Sequence, residues 1–539
     1  MKQNMIKKSG LRGLIVICGF VTLCNQAISA AELPTEPALT LEVRQFSVEG
    51  DNPLSDAETQ ELLKPYLGKH DSLDSLEAAP AALEGAMHRR GYVFHRVIIP
   101  AQRPEDGNIK LQVVRYRLNK VDVTGNNFFS SENILRSLPG LEIDKSPDVA
   151  ELTGEMATAN QHPSKRITLV IKESAAEQAL DAEIRVRDVP TRQAFISLVG
   201  HTRDENNAIN HGTGYSRVTF GYQAANLFDR DHVLTATYTT SPDHISDVTQ
   251  VGLFYWIPFY GIQSSLSAYA TYSDIQIGSL GVGSQSFDVS GRGEFYGLRF
   301  DHSFRKFNQI NHGISIALDD RLFKSDVKFG GVGLPTNEVS SRPISLRYFA
   351  GTERSWGNAS AYVEEAFNIR GGRAGDDTDY QNARNGADPN WKAFRYGVDS
   401  NYAFASGWTL SGKLRGQYTD EPLIPGEQFG LGGDNSVRGL RDREIAGDQG
   451  YFVSAELKAP ALKWGLEPVG FIDHGGRHNV KTVIGVPDTD SASSLGLGLR
   501  WKSQSKFEAK VDFAHVINGI EGGTPAGNNK LHFSAFYRF

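Results

Sequence analysis

The stretch Ser493-Ser494-Leu495-Gly496-Leu497-Gly498-Leu499-Arg500-Trp501-Lys502 decides the fold. Successive side chains of a β-strand point to opposite faces. Leu495, Leu497, Leu499 and Trp501 therefore fall on one side, and Gly496, Gly498, Arg500 and Lys502 on the other. Trp408 to Tyr418 sorts the same way, with Trp408, Leu410, Leu414 and Tyr418 opposing Thr409, Ser411, Lys413, Arg415 and Gln417. Leu234, Ala236 and Tyr238 oppose Thr235, Thr237 and Thr239. From about Thr191 onward the period is two, with one apolar face and one wet face.

Such alternation suits a soluble antiparallel sandwich or a membrane barrel, and connection lengths separate the two. Strands are expected near residues 192, 215, 231, 247, 261, 291, 309, 338, 356, 391, 407, 448, 465, 491, 505 and 530, sixteen in all. His201 to Gly214, Ile275 to Gly291, Gly371 to Asn390, Asp420 to Asp448, Gly475 to Thr489 and His515 to Asn529 are long, polar and glycine-rich. The connections around Asn226 to Arg230, Pro258 to Gly261, Ala405 to Gly407 and Ser503 to Ser505 are short. Every second loop being long is the pattern of an outer-membrane barrel with unlike rims, and an even strand number puts all the long loops outside. The last strand sets Leu531, Phe533, Ala535, Tyr537 and Phe539 on one face against His532, Ser534 and Arg538 on the other.

With 539 residues the chain exceeds what one compact core ordinarily holds, so two or three domains are expected. No run of about 18 apolar residues occurs, which excludes a helical membrane bundle. The longest, Leu14 to Cys24, follows Lys2, Lys7, Lys8 and Arg12 and precedes the small residues Ala27 to Ala31. That order predicts a secretory signal peptide over residues 1–31, cleaved between Ser29 and Glu32. Its removal takes four of 56 basic residues, leaving 52 against 63 acidic ones and a net charge of −11. Nucleic acid is a poor partner for such a chain. Cys18 and Cys24 leave as well, so the mature chain has neither disulfides nor thiolate metal sites.

Residues 41–190 carry a different pattern. Leu41 to Val48 reads as a strand, Asp56 to Leu67 and Leu73 to Arg90 have helical spacing, and Val93 to Ile99 and Ile109 to Val114 are strands. The order then repeats: a strand Lys120 to Val123, helices near Ser131 to Leu138 and Pro147 to Asn160, and strands Arg166 to Lys172 and Leu180 to Arg187. Two small α+β domains, 41–116 and 117–190, are thus expected after a short linker, 32–40, and before a sixteen-stranded antiparallel β-barrel over 191–539.

Several motifs narrow the function. The first small domain carries Gly91-Tyr92, then Pro100, Gln102 and Gly107, and then Ile109, Leu111 and Val113, and the second opens with Val121-Asp122-Val123-Thr124-Gly125-Asn126. The barrel region carries Val437-Arg438-Gly439 in the long loop 420–448 and Phe471-Ile472-Asp473-His474-Gly475 two strands later. With these features the chain resembles the TpsB transporters of two-partner secretion, the haemolysin secretion/activation protein family, within the superfamily of outer-membrane barrels bearing polypeptide-transport-associated (POTRA) domains.

The resemblance implies that the loop folds into the lumen and that Val437, Arg438 and Gly439 are locked against Phe471, Asp473 and Gly475. A guanidinium and a carboxylate in a partly desolvated lumen form a charge-assisted pair able to pin a loop. The terminal aromatics Phe533, Tyr537 and Phe539 resemble the signal read by the barrel assembly machinery. In the family an N-terminal helix often plugs the pore. Glu32 to Thr40 contains Pro34 and Pro37 and is too short to fill a lumen, so no plug is expected, and the Arg438 loop is expected to provide most of the occlusion.

Enzyme motifs fail on inspection. Gly407 to Lys413 fits the spacing of a phosphate loop but is followed by Leu414 and lies in an alternating strand. No cofactor, metal or catalytic residue is expected. The leading function is a pore in the outer membrane of a Gram-negative bacterium. Its periplasmic POTRA domains bind an unfolded TpsA-type exoprotein, partly by strand addition at Tyr92 to Ile99 or Arg166 to Lys172, with Gly91, Tyr92, Val93, Val97, Pro100 and Gln102 as docking residues. The alternatives are an assembly factor that inserts other barrels, and a diffusion porin or receptor. The former expects more POTRA units than two, and the latter leaves the POTRA units and Val437-Arg438-Gly439 unexplained. Partners are the exoprotein, the assembly machinery and outer-membrane lipid.

Overall fold

A computed structural model of the chain describes residues 41–539 except 104–105, 203–214, 244, 246–247, 275–277, 283–284, 290–291, 326–327, 330–331, 334–336, 482–486 and 504–505. The signal peptide over 1–31, the linker over 32–40 and the question of a plug lie outside the described residues.

The first small unit holds strands Leu41–Val43 and Gln45–Gly50, where the sequence suggested a single strand, then helices Asp56–Leu63 and Leu73–Arg89, and strands His95–Ile98 and Asn108–Arg115. Ser55 caps the first helix, its hydroxyl accepting from Glu58 N at 3.4 Å. The three-stranded sheet runs Gln45–Gly50, Asn108–Arg115, His95–Ile98, which leaves His95–Ile98 at an edge. That strand starts two residues later than expected, because Val93 and Phe94 belong to the turn leaving the second helix.

In the second unit, Arg117–Thr124 pairs in parallel with Ala179–Asp188, which pairs antiparallel with the edge strand Lys165–Glu173. Helices Ser131–Arg136 and Val149–Ala159 cover one face, capped by Ser130, which accepts from Asn133 N at 3.0 Å, and by Asp148, which accepts from Ala150 N at 2.7 Å. Phe129, Ile134, Leu138, Leu152, Ile167, Ile184 and Val186 form the core between helices and sheet.

From Arg192 the chain forms a closed antiparallel barrel of sixteen strands. Asn337–Ser341 and Pro343–Arg354 are two parts of one strand broken at Arg342, since both pair with Ile310–Ser325. Every strand begins within three residues of its expected position. The faces also sort as expected. Leu495, Leu497, Leu499 and Trp501 are exposed on the outer surface, while Thr235, Thr237 and Thr239 point inward and are buried. The sixteenth strand, Asn529–Arg538, closes against the first, Arg192–His201, through seven residue pairs from His532↔His201 to Arg538↔Phe195. Phe536 faces inward there and meets Phe195, with ring centroids 5.5 Å apart.

One long loop departs from its polar, outward reading. Residues 369–391 carry a helix, Asp377–Ala383, with a capping box in which Asp376 and Asp379 exchange side-chain-to-backbone hydrogen bonds at 2.9 and 3.1 Å. Tyr380 and Trp391 are fully buried against Phe295, Phe323, Val339 and Ala393 on the inner wall and against Leu423 and Ile424. This loop therefore packs against the inner wall and against the first limb of the loop that carries Arg438.

Candidate functional site: the lumen loop

Residues 419–448 join the eleventh strand, Thr409–Tyr418, to the twelfth, Gln449–Lys458. Phe429–Leu431 pairs with Ile445–Gly447, so the loop is a hairpin whose tip spans 432–444. Its apolar residues supply one anchor. Leu431, Val437 and Leu440 are completely buried, with Ile445, among Phe452, Ala492, Val516 and Ile520. Glu427 supplies a second anchor before the hairpin. Its carboxylate accepts from Arg321 Nη1 at 3.0 Å to each oxygen and from Arg395 Nη2 at 3.1 Å.

The tip is held by Arg438. Its Nε donates to Asp473 Oδ2 at 2.7 Å and its Nη2 to Asp473 Oδ1 at 2.8 Å, a two-pronged pair. Arg438 N also donates to Asp473 Oδ2 at 3.2 Å. Nη1 reaches Glu456 at 3.1 Å and Asp512 at 3.3 Å, and the guanidinium carbon lies 3.4 Å from the centroid of the Phe471 ring. Ser454 Oγ donates to Asp473 Oδ1 at 2.7 Å, and Gly439 N donates to His532 Nε2 at 2.9 Å. The tip thus touches the twelfth, thirteenth, fifteenth and sixteenth strands. Arg500 joins the cluster, donating to Glu456 at 2.9 Å and to Asp512 Oδ2 at 3.2 Å. Two guanidiniums meet three carboxylates, of which Asp473 and Asp512 are fully buried. A buried charge is tolerable only when paired, so the cluster holds as a unit.

Backbone room is part of the site. A β-carbon on Gly496 would come 2.3 Å from Phe471 Cζ, so this inward glycine makes space for the ring beneath Arg438. Val437, Arg438, Gly439, Phe471, Asp473 and Gly475 are all brought together. Glu456, Asp512, Arg500 and His532 complete the site without a sequence signal beyond strand parity, and Glu427, in the loop, without even that.

The expected docking residues do not converge on one surface. Tyr92 is exposed in the turn before His95–Ile98, and its ring meets His95 edge-on at 5.5 Å. Val93 shares that turn, between Gly91 and the strand, whereas Val97 points into the interior. Gln102 is engaged with the main chain of Lys110, donating to its carbonyl and accepting from its amide, both at 2.8 Å. Pro100 lies between the edge strand and Gln102. Phe533, Tyr537 and Phe539 follow one face of the closing strand, where the Tyr537 and Phe539 rings meet edge-on at 4.9 Å.

A second polar cluster joins the second small unit to the barrel rim. Lys165 Nζ, fully buried, donates to Asp231 Oδ2 at 2.6 Å, Ser137 Oγ at 2.7 Å and Asn133 Oδ1 at 3.1 Å. Burial lowers the Lys165 pKa, opposed by Asp231. Burial also holds the His162 imidazole down to about 3 and pushes the Glu155 carboxyl up to about 7, the latter against two hydrogen bonds from Gly140 N.

Known proteins resemble the chain over most of its length. The profile of the haemolysin secretion/activation protein family ShlB/FhaC/HecB matches residues 196–501, and that of the ShlB-type POTRA domain matches 41–115. The chain is similar to the outer membrane transporter CdiB of Dickeya dadantii, with 22% identity over 488 residues, 87% of this chain and 82% of that protein. It is also similar to the heme/hemopexin transporter protein HuxB of Haemophilus influenzae, with 19% identity over 480 residues, 86% and 80% of the two chains. Among solved structures, CdiB from Escherichia coli superposes with a TM-score of 0.75 at 15% identity, over 96% of this chain and 93% of that one. CdiB from Acinetobacter baumannii gives 0.69 at 15% identity, over 94% and 91%.

Proposed function

The chain belongs to the haemolysin secretion/activation protein family ShlB/FhaC/HecB, a family of outer-membrane transporters, and on that premise we propose that it exports one exoprotein partner by two-partner secretion. The barrel lies in the outer membrane with its POTRA units in the periplasm. An unfolded TpsA-type exoprotein docks on the exposed strand edges His95–Ile98 and Lys165–Glu173 by adding a strand, with Tyr92 beside the first edge. It then passes through the barrel as an extended chain, kept hydrated by the polar inner wall.

The observation that carries this reading is the buried Arg438–Asp473 pair inside a closed barrel behind two POTRA-type units. A pore with a removable internal loop suits occasional passage of a chain better than steady diffusion of solutes. The loop must leave the lumen as the exoprotein enters, and refolding of the exoprotein outside biases its movement. During biogenesis the aromatic closing strand with Phe533, Tyr537 and Phe539 is read by the barrel assembly machinery, and the apolar outer face is covered by lipid.

The test is co-expression, in a Gram-negative host, with the large exoprotein encoded by a neighbouring reading frame. Appearance of that product in the medium only when the chain is present supports export. A general loss of other barrels from the outer membrane when the gene is deleted would favour the assembly-factor alternative instead.

A further inference from the structure

Asp448 sits at the root of the lumen hairpin, immediately before the twelfth strand, and is fully buried. Its Oδ2 accepts from Arg384 Nη2 at 2.8 Å and from Val480 N at 2.9 Å. Its Oδ1 accepts from Leu423 N at 2.9 Å, from Gln428 Nε2 at 3.2 Å and from Arg384 Nη1. Arg384 Nη1 also donates to Leu423 O at 2.7 Å. Arg384 directly follows the helix Asp377–Ala383 of the loop 369–391, Leu423 and Gln428 belong to the ascending limb of the loop 419–448, and Val480 opens the loop after the thirteenth strand. One carboxylate thus gathers five donor bonds from three different extracellular loops.

We propose that Asp448, paired with Arg384, is an outer clasp that ties these three loops into one closed cap and sets how often the pore opens, separately from the Arg438 lock at the hairpin tip. A carboxylate satisfied by a two-pronged guanidinium and three further N–H groups is stable only while all three loops are in place. Moving any one loop leaves a buried charge short of partners, so the cap resists piecemeal opening and yields as a unit. The short capped helix fixes Arg384 at its C-terminal end, and the burial of Tyr380 and Trp391 fixes the helix, so the clasp is held by packing as well as by charge. Asp448 and Arg384 act through the loops and touch no passing chain in the closed state; they are positioning residues.

The inference rests on the reading of the barrel as a pore, and conductance tests it without any exoprotein. Full-length wild type, Asp448→Asn, Arg384→Gln and the double variant are reconstituted into planar lipid bilayers, after heat-dependent gel mobility has verified a folded barrel. Each single variant is expected to open roughly ten- to a hundredfold more often than wild type, as for loss of a buried charge-assisted hydrogen bond. The double variant should open no more often than the more active single one, because both remove the same clasp. Arg384→Lys, which keeps the charge but not the fork, gives an intermediate opening frequency and serves if the others do not insert. Wild-type opening frequency in the folded variants overturns the proposal, as does a double variant whose effect is the product of the two single effects. Exoprotein export measured on the same variants separates the readings: abolished export in a variant with unchanged conductance counts against the clasp, whereas altered conductance from a wild-type pore that exports no exoprotein counts against the export function alone.

Discussion

Gly475 lies directly beneath Leu431, so that a β-carbon added to Gly475 would stand 2.6 Å from Leu431 Cδ2 and 3.0 Å from the carbonyl oxygen of Tyr451. The lumen hairpin rests on the thirteenth strand at that point with no space for a methyl group. Gly475→Ala is therefore expected to lift the hairpin, at a cost of about 1–3 kcal/mol for overpacking. Single-channel recording should show longer or more frequent openings, with the folded barrel still present in the membrane.

The Arg438 cluster makes an asymmetric prediction. Arg438→Ala leaves Arg500 alone against Glu456, Asp473 and Asp512, whereas Asp473→Ala leaves two guanidiniums against two carboxylates. Breaking a buried pair by removing one partner costs about 3–5 kcal/mol, and the cost is highest where unpaired charge accumulates. Both variants should cut export sharply while the barrel stays inserted, and Arg438→Ala should destabilise the closed loop more. Exoprotein in the medium, normalised to barrel in the outer-membrane fraction, measures the first effect, and protease access to residues 432–444 measures the second. Export unchanged in both variants would remove the lock from the mechanism.

Sixteen strands and their faces were legible because parity is local: a strand side chain faces in or out according to its own position. Which inward residues meet was not legible, since that depends on strand stagger and on the path of a loop. Parity alone makes Glu456, Asp512 and Arg500 no more than polar wall positions, and their meeting at Arg438 needs the closed barrel. Arg438 and Asp473 were named through the family motif rather than through spacing. The helix Asp377–Ala383 was missed because seven residues are too few for a helical period and its buried side is little more than Tyr380; the local clue was the Asp376 and Asp379 pair. Lys165 and Asp231, 66 residues apart, carried no sequence signal of their pairing.

Tyr92 is exposed beside an edge strand, while Val97 and Gln102 are committed to the fold of their own domain. Tyr92→Ala is expected to weaken exoprotein binding and export several-fold without changing barrel yield. Gln102→Ala should instead lower the stability of the first POTRA unit, seen as faster proteolysis there. Full export from Tyr92→Ala would show that docking does not use this turn.

Two buried groups give the second POTRA unit opposing pH dependences. Glu155 is harder to ionise in the fold than in the open chain, with a pKa of about 7 against the ordinary 4.5, so its contribution is complete below 4.5 and is lost as pH rises through 7. His162 is harder to protonate, with a pKa of about 3 against 6.5, so its contribution is complete above 6.5 and is lost as pH falls toward 3. Glu155→Gln should remove the loss on the alkaline side. Hydrogen exchange in the helix Val149–Ala159, corrected for intrinsic rates, should then be less protected in wild type than in the variant at pH 8 and alike in both at pH 4.

Tyr537 and Phe539 pack edge-on, and Phe539 N donates to Ala194 O at 2.9 Å in the first strand. Replacing both aromatic rings by alanine leaves that backbone bond intact, so any loss reports on recognition or ring packing rather than on the seam ladder. The amount of heat-modifiable barrel in the outer membrane is expected to fall several-fold.

The seam itself bears on how the barrel is made. Fifteen of its sixteen neighbouring strand pairs join consecutive strands, and only the pairing of Asn529–Arg538 with Arg192–His201 joins segments more than three hundred residues apart. The sheet can therefore grow one hairpin at a time, each step closing a loop between consecutive strands, but it cannot become a cylinder before its sixteenth strand is delivered. Until then it is a wide sheet with two unpaired edges, each a template for pairing with any other strand in the periplasm. The newborn chain consequently stays open to mispairing until its last strand arrives, and shielding a fixed edge and a growing one at once is the task that its assembly sets.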